Sequence, residues 1–154
     1  MKITTALLGD LEFEEKDIIS FPEGIPAFEW EKRFLIIAME EGGPFYYMQS
    51  AQNPDLCLVL AQPFAFFPKY AIEIGDKDLE KLECENKRED LAIYVILTIP
   101  EDFKESSANL MAPIIINQAS KKGLQFIAIN NEYKTRQYIF PQTEKEIAAT
   151  AQEG

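Results

Sequence analysis

The chain has 154 residues and a formal net charge of −11, with 15 Lys and Arg against 26 Asp and Glu. A field of that sign repels phosphate backbones and anionic lipid surfaces, which excludes direct nucleic-acid and membrane-surface binding as first expectations and favours a basic protein partner steered in by charge. Its 47% hydrophobic and 27% charged residues are ordinary globular composition, against a disordered chain, and the length suits one core.

The opening Met1-Lys2-Ile3-Thr4-Thr5 lacks the apolar core of a signal peptide, and no apolar run approaches the roughly 20 residues that cross a bilayer. A cytosolic protein with reduced thiols is expected. Residues 2–5 and 11–14 alternate polar with apolar, as strands do with one face in water, and are expected at an edge or surface. In Phe21-Pro22-Glu23-Gly24-Ile25-Pro26 two prolines surround a glycine, which excludes a central strand and fixes an extended, then turned backbone. Two readings fit it. Either it is a rigid corner sending Phe21, Ile25 and Phe28 into the core, or Glu23, Glu29 and Trp30 border a docking surface. Trp30 is the single tryptophan and sits between Glu29 and Glu31, an amphipathic setting common at interfaces.

Residues 33–39 and 45–50 are β-branched or aromatic runs joined by Gly42-Gly43-Pro44, which predicts an antiparallel hairpin. Glu40 and Glu41 precede that turn, where loop position exposes them to a basic partner. Strand-like runs continue at 56–61, 70–74, 91–99, 113–117 and 124–129, spaced too closely for crossover helices. Residues 62–70 concentrate four aromatics, three of them between Pro63 and Pro68, a core-packing segment that can leave one ring exposed. Residues 91–99 are apolar at almost every position, so both faces of that strand must be covered. Asp76 to Leu82 places acids early and Leu79 and Leu82 three apart, enough for one or two helical turns. Pro113 and Gly123 are expected at a strand start and a turn, with Asn109 and Asn117 satisfying loop backbone groups. Residues 142–154 hold helix formers but one sizeable apolar anchor, Ile147, and predict a short helical or disordered tail after a single domain at 1–141. The sum is an all-β, mainly antiparallel fold: a small closed β-barrel or barrel-like sandwich with one or two short helices, whose closure removes aggregation-prone edges.

Catalytic chemistry is poorly provided for. Histidine is absent, which removes the usual proton-transfer group near neutral pH and the usual activator of a Ser or Cys nucleophile. There is no Cys-x-x-Cys zinc signature and no glycine-rich phosphate loop, so no cofactor or metal is expected. Glu12, Glu14 and Glu15, like Glu40 and Glu41, cluster on segments that a solvated face explains. Cys57 lies in an apolar run and reads as a small core residue, whereas Cys84, among charged neighbours, is expected to be more exposed. Neither reads as a nucleophile.

The segments Phe21-Pro22-Glu23-Gly24-Ile25-Pro26-Ala27-Phe28-Glu29, Met48-Gln49-Ser50, Asn109-Leu110-Met111-Ala112-Pro113-Ile114-Ile115-Ile116-Asn117 and Tyr133-Lys134-Thr135-Arg136 resemble, in the same order, those of the flagellar assembly factor FliW family. The likeness runs from about residue 2 to 140. It departs at Gln62, where the family usually has an acidic residue before the matching proline. The resemblance implies a barrel fold and a cytoplasmic, non-catalytic protein with two partners, flagellin and the RNA-binding translational regulator CsrA. Free of flagellin, such a protein binds CsrA and relieves its repression of flagellin mRNA. Two other readings stay open: a small-ligand-binding barrel or carboxylate-based enzyme, which a deep apolar pocket of roughly 300 Å³ or more would support, and a flagellin chaperone with no regulatory role.

Overall fold

The computed structural model describes residues 1–84, 88–128 and 132–141; the expected tail at 142–154 and the end of the 124–129 run lie outside the described residues. A short hairpin begins the architecture. Strand β1 (Lys2–Thr5) pairs antiparallel with β2 (Gly9–Glu12) as a separate two-stranded sheet. The larger sheet runs through β3 (Ile19–Ser20), β4 (Arg33–Ala38), β5 (Phe45–Ser50), β6 (Cys57–Ala61) and β7 (Leu91–Thr98), each antiparallel to the one before. Two short strands, β8 (Ser107–Ala108) and β11 (Gln137–Tyr138), extend it beyond the far half of β7. The near half of β7 pairs instead with β9 (Ile114–Asn117), β9 pairs with β10 (Lys122–Gln125), and β10 returns to β3 through a parallel contact between Lys122 and Ser20. Seven strands thereby close into a ring, β7-β6-β5-β4-β3-β10-β9, and closure leaves those strands without an open edge.

Alternation along the strands sorts inside from outside. Phe34 and Ile36 of β4, Met48 of β5, Leu58 and Leu60 of β6, Tyr94 and Ile96 of β7, and Ile114 and Ile116 of β9 meet in the barrel interior with Phe21 and Ile25. Phe21, Phe34, Met48, Leu60 and Ile114 have no exposed surface, and each such burial is worth about 1.5 to 3 kcal/mol. The opposite face of β7 is also covered, as its composition requires. Ile93 packs on both outer clusters, Leu91 on that of the helix α1 (Asp76–Lys81), and Val95 and Leu97 on that of Tyr70. Asn117 ties the two layers together: its amide donates to the Leu82 carbonyl at 2.9 Å, and its Oδ1 accepts from the Ala119 N–H. Asn109 Oδ1 likewise accepts from the N–H groups of Met111 and Ala112.

Four expectations need correction. Residues 70–74 are not a strand, although Tyr70, Ile72 and Ile74 turn inward while Ala71 and Glu73 face out. The segment lies over the outer face of the barrel, packed through side chains, and among the described residues no neighbouring backbone completes a ladder. Gly123 is within β10 rather than in the turn. Lys121, at φ 59, takes the positive angle, and Gly123 is needed because a Cβ there would come within 2.6 Å of the Phe21 ring. The strands expected at 11–14 and 124–129 are registered at Gly9–Glu12 and Lys122–Gln125, with single bonds continuing beyond them from Phe13 N–H to Met1 O and from Phe126 N–H to Pro113 O. Cys84 is buried, since Glu83 at φ 54 turns the chain inward after α1 and the Cys84 N–H bonds back to Leu79 O at 2.8 Å.

The proline-rich segment after β3 is the rigid corner. Phe21 meets Phe34 edge to face at 5.3 Å, Phe28 packs on the interior cluster, and N–H groups of Gly24, Phe28 and Glu31 close successive turns onto Phe21, Ile25 and Phe28 carbonyls. Gly24 sits at φ 67, where a Cβ would strike the Glu29 carbonyl oxygen. Gly42 is comparable in angle, at φ 78, but has nothing within 4 Å. Gly42→Ala should therefore cost about 1 to 2 kcal/mol, the left-handed strain alone, and Gly24→Ala at least about 1 kcal/mol more because backbone must move. Chemical denaturation of the two variants checks this; equal losses would mean that the corner yields.

Burial also shapes the response to alkali. It pushes the thiol of Cys57 and the phenols of Tyr94 and Tyr70 above their ordinary values of 9.0 and 10.0, with smaller contributions from Tyr46 on Tyr94 and from Tyr133 on Tyr70. The folded chain then keeps protons that the unfolded chain releases. The contribution of these three groups to stability must therefore be flat below those ordinary values and fall as pH rises through them. Urea midpoints should drop between roughly pH 8 and pH 10.5, with a shallower drop for Tyr70→Phe; a midpoint that stays level would overturn the assignment.

Candidate functional site

Two separate surfaces carry the residues that the sequence singled out. At the corner, Glu23 and Glu29 are exposed and Trp30 is 67% exposed, its ring edge-on to Phe28 at 6.2 Å. Glu23 takes an ion pair from Lys81 at 2.9 Å, which pushes the Lys81 ammonium pKa up and fastens the corner to the end of α1. Both side chains are about half exposed or more, so screening leaves the pair little effect on stability. Glu31 departs from the expected picture of Trp30 between two surface carboxylates, because it is only 6% exposed. Ser50 Oγ donates to Glu31 Oε2 at 2.9 Å and itself accepts from the N–H groups of Gln52 and Asn53. Buried Gln49 donates to the Ser50 and Asn53 carbonyls, while its Oε1 has no partner among the described residues. The Met48-Gln49-Ser50 segment thus anchors the loop after β5 beneath the corner. Trp30 is held out in water by a neighbour that is locked in.

Glu40 and Glu41 lie at the other end of the β4–β5 hairpin, exposed, in a turn closed by the Gly43 N–H on the Glu40 carbonyl at 3.1 Å. The six residues of β4 separate them from the corner by about 20 Å. The five residues do not converge on one point.

A third feature escaped the sequence reading in part. Phe64 is 46% exposed, as one ring of the 62–70 segment was expected to be, and it sits in a single 3-10 turn, Pro63–Ala65. Phe103, 53% exposed, packs at a tilt against Phe140 at 5.0 Å, and Phe140 reaches Phe66 at 6.2 Å, giving an aromatic surface beside β8 and β11. Phe103 stands alone in the charged run Glu101-Asp102-Phe103-Lys104-Glu105, and an isolated aromatic among charges was the available signal.

Small-molecule chemistry finds less support. The barrel interior is filled by side chains, so the ring encloses a core rather than a ligand chamber. A cleft of about 550 Å³ opens between the β1–β2 hairpin and the barrel mouth, lined by Leu11, Phe13, Tyr46 and Tyr94 and rimmed by Glu12, Asp17 and Lys121. It is large enough for the ligand reading, yet it lies open to solvent. The Cys57 thiol, its pKa raised by burial, is held in its unreactive protonated form. Among the described residues no three Cys, Asp or Glu side chains gather as a metal site, and no helix is long and apolar enough to cross a membrane.

Comparison with known proteins agrees with the fold. The family model described as "FliW protein" matches residues 2–139. The flagellar assembly factor FliW of Syntrophomonas wolfei subsp. wolfei is 65% identical, with 100% of each chain covered. That of Geobacillus kaustophilus is 45% identical over 92% of this chain and 97% of its own. A solved structure, the crystal structure of the flagellar assembly factor FliW, superposes with a TM-score of 0.86 at 43% identity, covering 93% of this chain and 99% of that one. These relatives are named as assembly factors and not as enzymes, and the chain belongs to the FliW family of flagellar assembly factors.

Proposed function

We propose that this chain acts in the cytoplasm, without catalysis, by binding flagellin and, when free of it, binding CsrA and relieving repression of flagellin mRNA. Residues 1–141 are the binding domain in this reading. The observation that carries it is Trp30. A large ring, 67% exposed on a backbone that prolines and turns prevent from collapsing inward, has apolar area to gain from a partner, and Glu23 and Glu29 flank it with charge. The net charge of −11 suits a basic RNA-binding partner and a mode of antagonism that does not involve touching RNA. A chaperone without regulatory role would bind flagellin alone, so binding of CsrA separates the two readings.

Trp30→Ala should weaken binding of at least one of these partners about tenfold or more, the loss typical of a central aromatic anchor, with the melting temperature unchanged because the ring is in water. Calorimetric titration checks it; unaltered affinity for both partners would move the interface away from the corner. Glu40 and Glu41, at the far end of the hairpin, are assigned to steering. Lys at both positions should slow association with CsrA more than it speeds dissociation, and should flatten the dependence of the on-rate on salt. An unchanged on-rate would place the steering charge elsewhere.

The circuit also requires the two partners to exclude one another, and linkage makes that coupling equal in both directions. Two interfaces of about 800 Å² each would occupy roughly a sixth of the 9737 Å² surface, so crowding alone does not force exclusion. Shared residues, or a conformational change that one partner drives against the other, must do so. Flagellin titrated into a preformed complex with CsrA should displace it on size-exclusion chromatography with mass determination; a stable ternary complex of undiminished affinity would refute the switch.

A further inference from the structure

A cleft of about 690 Å³ separates residues 71–75 from residues 126–128, with Tyr133 at its border. Its apolar walls are Ile72, Ile74, Phe126 and Ile127, and Ile127 is 58% exposed. Two further properties distinguish it from an ordinary apolar groove. The backbone N–H and C=O groups of Ile72, Glu73 and Ile74 have no hydrogen-bond partner among the described residues, and the same is true of Ile127, although Phe126 and Ala128 on either side donate to Pro113 and Met111. The walls thus present unpaired main chain as well as apolar side chains. The charged groups at the cleft among the described residues are Glu73 and Asp78, both acidic, with no Lys or Arg among the described lining residues.

Unpaired backbone recognises backbone. A helix has its own N–H and C=O groups satisfied internally and would leave those of the wall unpaired, whereas an extended segment offers one donor and one acceptor every second residue. Alternate side chains of such a segment would face the isoleucines, and the remainder would face Glu73 and Asp78. We infer that this cleft is a docking site for an extended peptide segment of a basic protein partner, which adds to the exposed main chain at 72–74 or 127, buries alternate apolar side chains on Ile72, Ile74 and Ile127, and places Lys or Arg opposite Glu73 and Asp78. The site lies apart from Trp30 and from Glu40 and Glu41, and it does not depend on which protein supplies the segment.

The test uses the full chain labelled with ¹⁵N and an eight-residue peptide alternating Val and Lys, blocked at both ends. The amide signals of Ile72, Glu73, Ile74 and Ile127 should shift on titration, and at least one of these amides should exchange with solvent about tenfold more slowly when bound. The same peptide with alternate backbone nitrogens methylated, and a peptide alternating Val and Glu, should do neither. Glu73→Lys combined with Asp78→Lys changes exposed or half-exposed side chains, so the fold should persist while affinity falls at least about tenfold. Absence of shifts at these amides up to roughly 1 mM peptide, a fragment-scale affinity, would overturn the assignment. Shifts that survive methylation would also overturn it, since they would show side-chain contact without strand addition. Signals at these positions that move with protein concentration alone would make the occupant a second copy of this chain instead. None of these outcomes depends on flagellin or CsrA, so the test can fail while the proposed function stands, and the reverse.

Discussion

Strand β7 cannot be solvated on either face, and the architecture follows from that constraint. Seven of its eight residues, Leu91 to Leu97, are apolar, and the period of two sends half of them each way. Ring closure covers Ala92, Tyr94 and Ile96, but no barrel covers its own outside. The chain between β6 and β7 does so, laying Tyr70, Ile72, Ile74, Leu79 and Leu82 over Leu91, Ile93, Val95 and Leu97. That roof is fastened by a few specific bonds: Asn117 Nδ2 and Ser120 Oγ both donate to the Leu82 carbonyl, and the Tyr70 hydroxyl donates to the Leu110 carbonyl at 2.7 Å. Fastened near its ends and packed through side chains, the roof leaves the main chain of 72–74 without a hydrogen-bond partner among the described residues. The cleft beside it is a consequence of how the outer face of β7 is covered.

The corner after β3 answers a different requirement, that of closing one end of the ring. Phe21 enters the interior where Gly123 removes a side chain from its path, and Gly24 allows the backbone to turn against Glu29. A buried carboxylate below it is costly to desolvate, by several kcal/mol in an apolar site, which a single hydrogen bond of about 1.5 to 3 kcal/mol to a charged group offsets in part. Retaining Glu31 there fixes the loop at Gln52 and Asn53 through the same Ser50 hydroxyl. Its effect is on geometry more than on stability, and the geometry includes the direction in which Trp30 points.

Hydrophobic periodicity revealed the strands that are four or more residues long and bear side chains on a buried face, which is why β4, β5 and β7 emerged nearly at their observed bounds. Strands β3, β8 and β11 have two residues each and carry no period to read. The 70–74 run shows the limit of the method from the other side. Its apolar alternation matches the side chains that turn inward, but alternation reports a half-buried surface and not a partner backbone, and no partner strand pairs with it among the described residues. The corner was legible because proline and glycine constrain φ directly. Burial of Cys84 and Glu31 was not, since one follows from a positive φ at Glu83 and the other from a hydrogen bond to a strand 19 residues away. The exposed Glu23, Glu29, Trp30, Glu40 and Glu41 were legible as surface, but their separation into two ends of the hairpin needed the register of β4 and β5.

That separation decides what the acidic charge can do. The screening length at physiological salt is about 8 Å, well under the roughly 20 Å that β4 places between the corner and the hairpin turn. Carboxylates at the two ends therefore act as distinct patches, and the total of −11 governs the approach of a basic partner at long range without choosing where it lands. In the proposed function, choice of landing site falls to short-range features: the Trp30 ring at the corner, the Phe103 and Phe140 surface beside β8, and the main chain at 72–74 that has no hydrogen-bond partner among the described residues. A domain of this size can thus attract its partners by one common field and discriminate between them by short-range surfaces, so the mutual exclusion that the proposed switch requires must arise from overlap of those surfaces or from a conformational change that couples them, and not from charge.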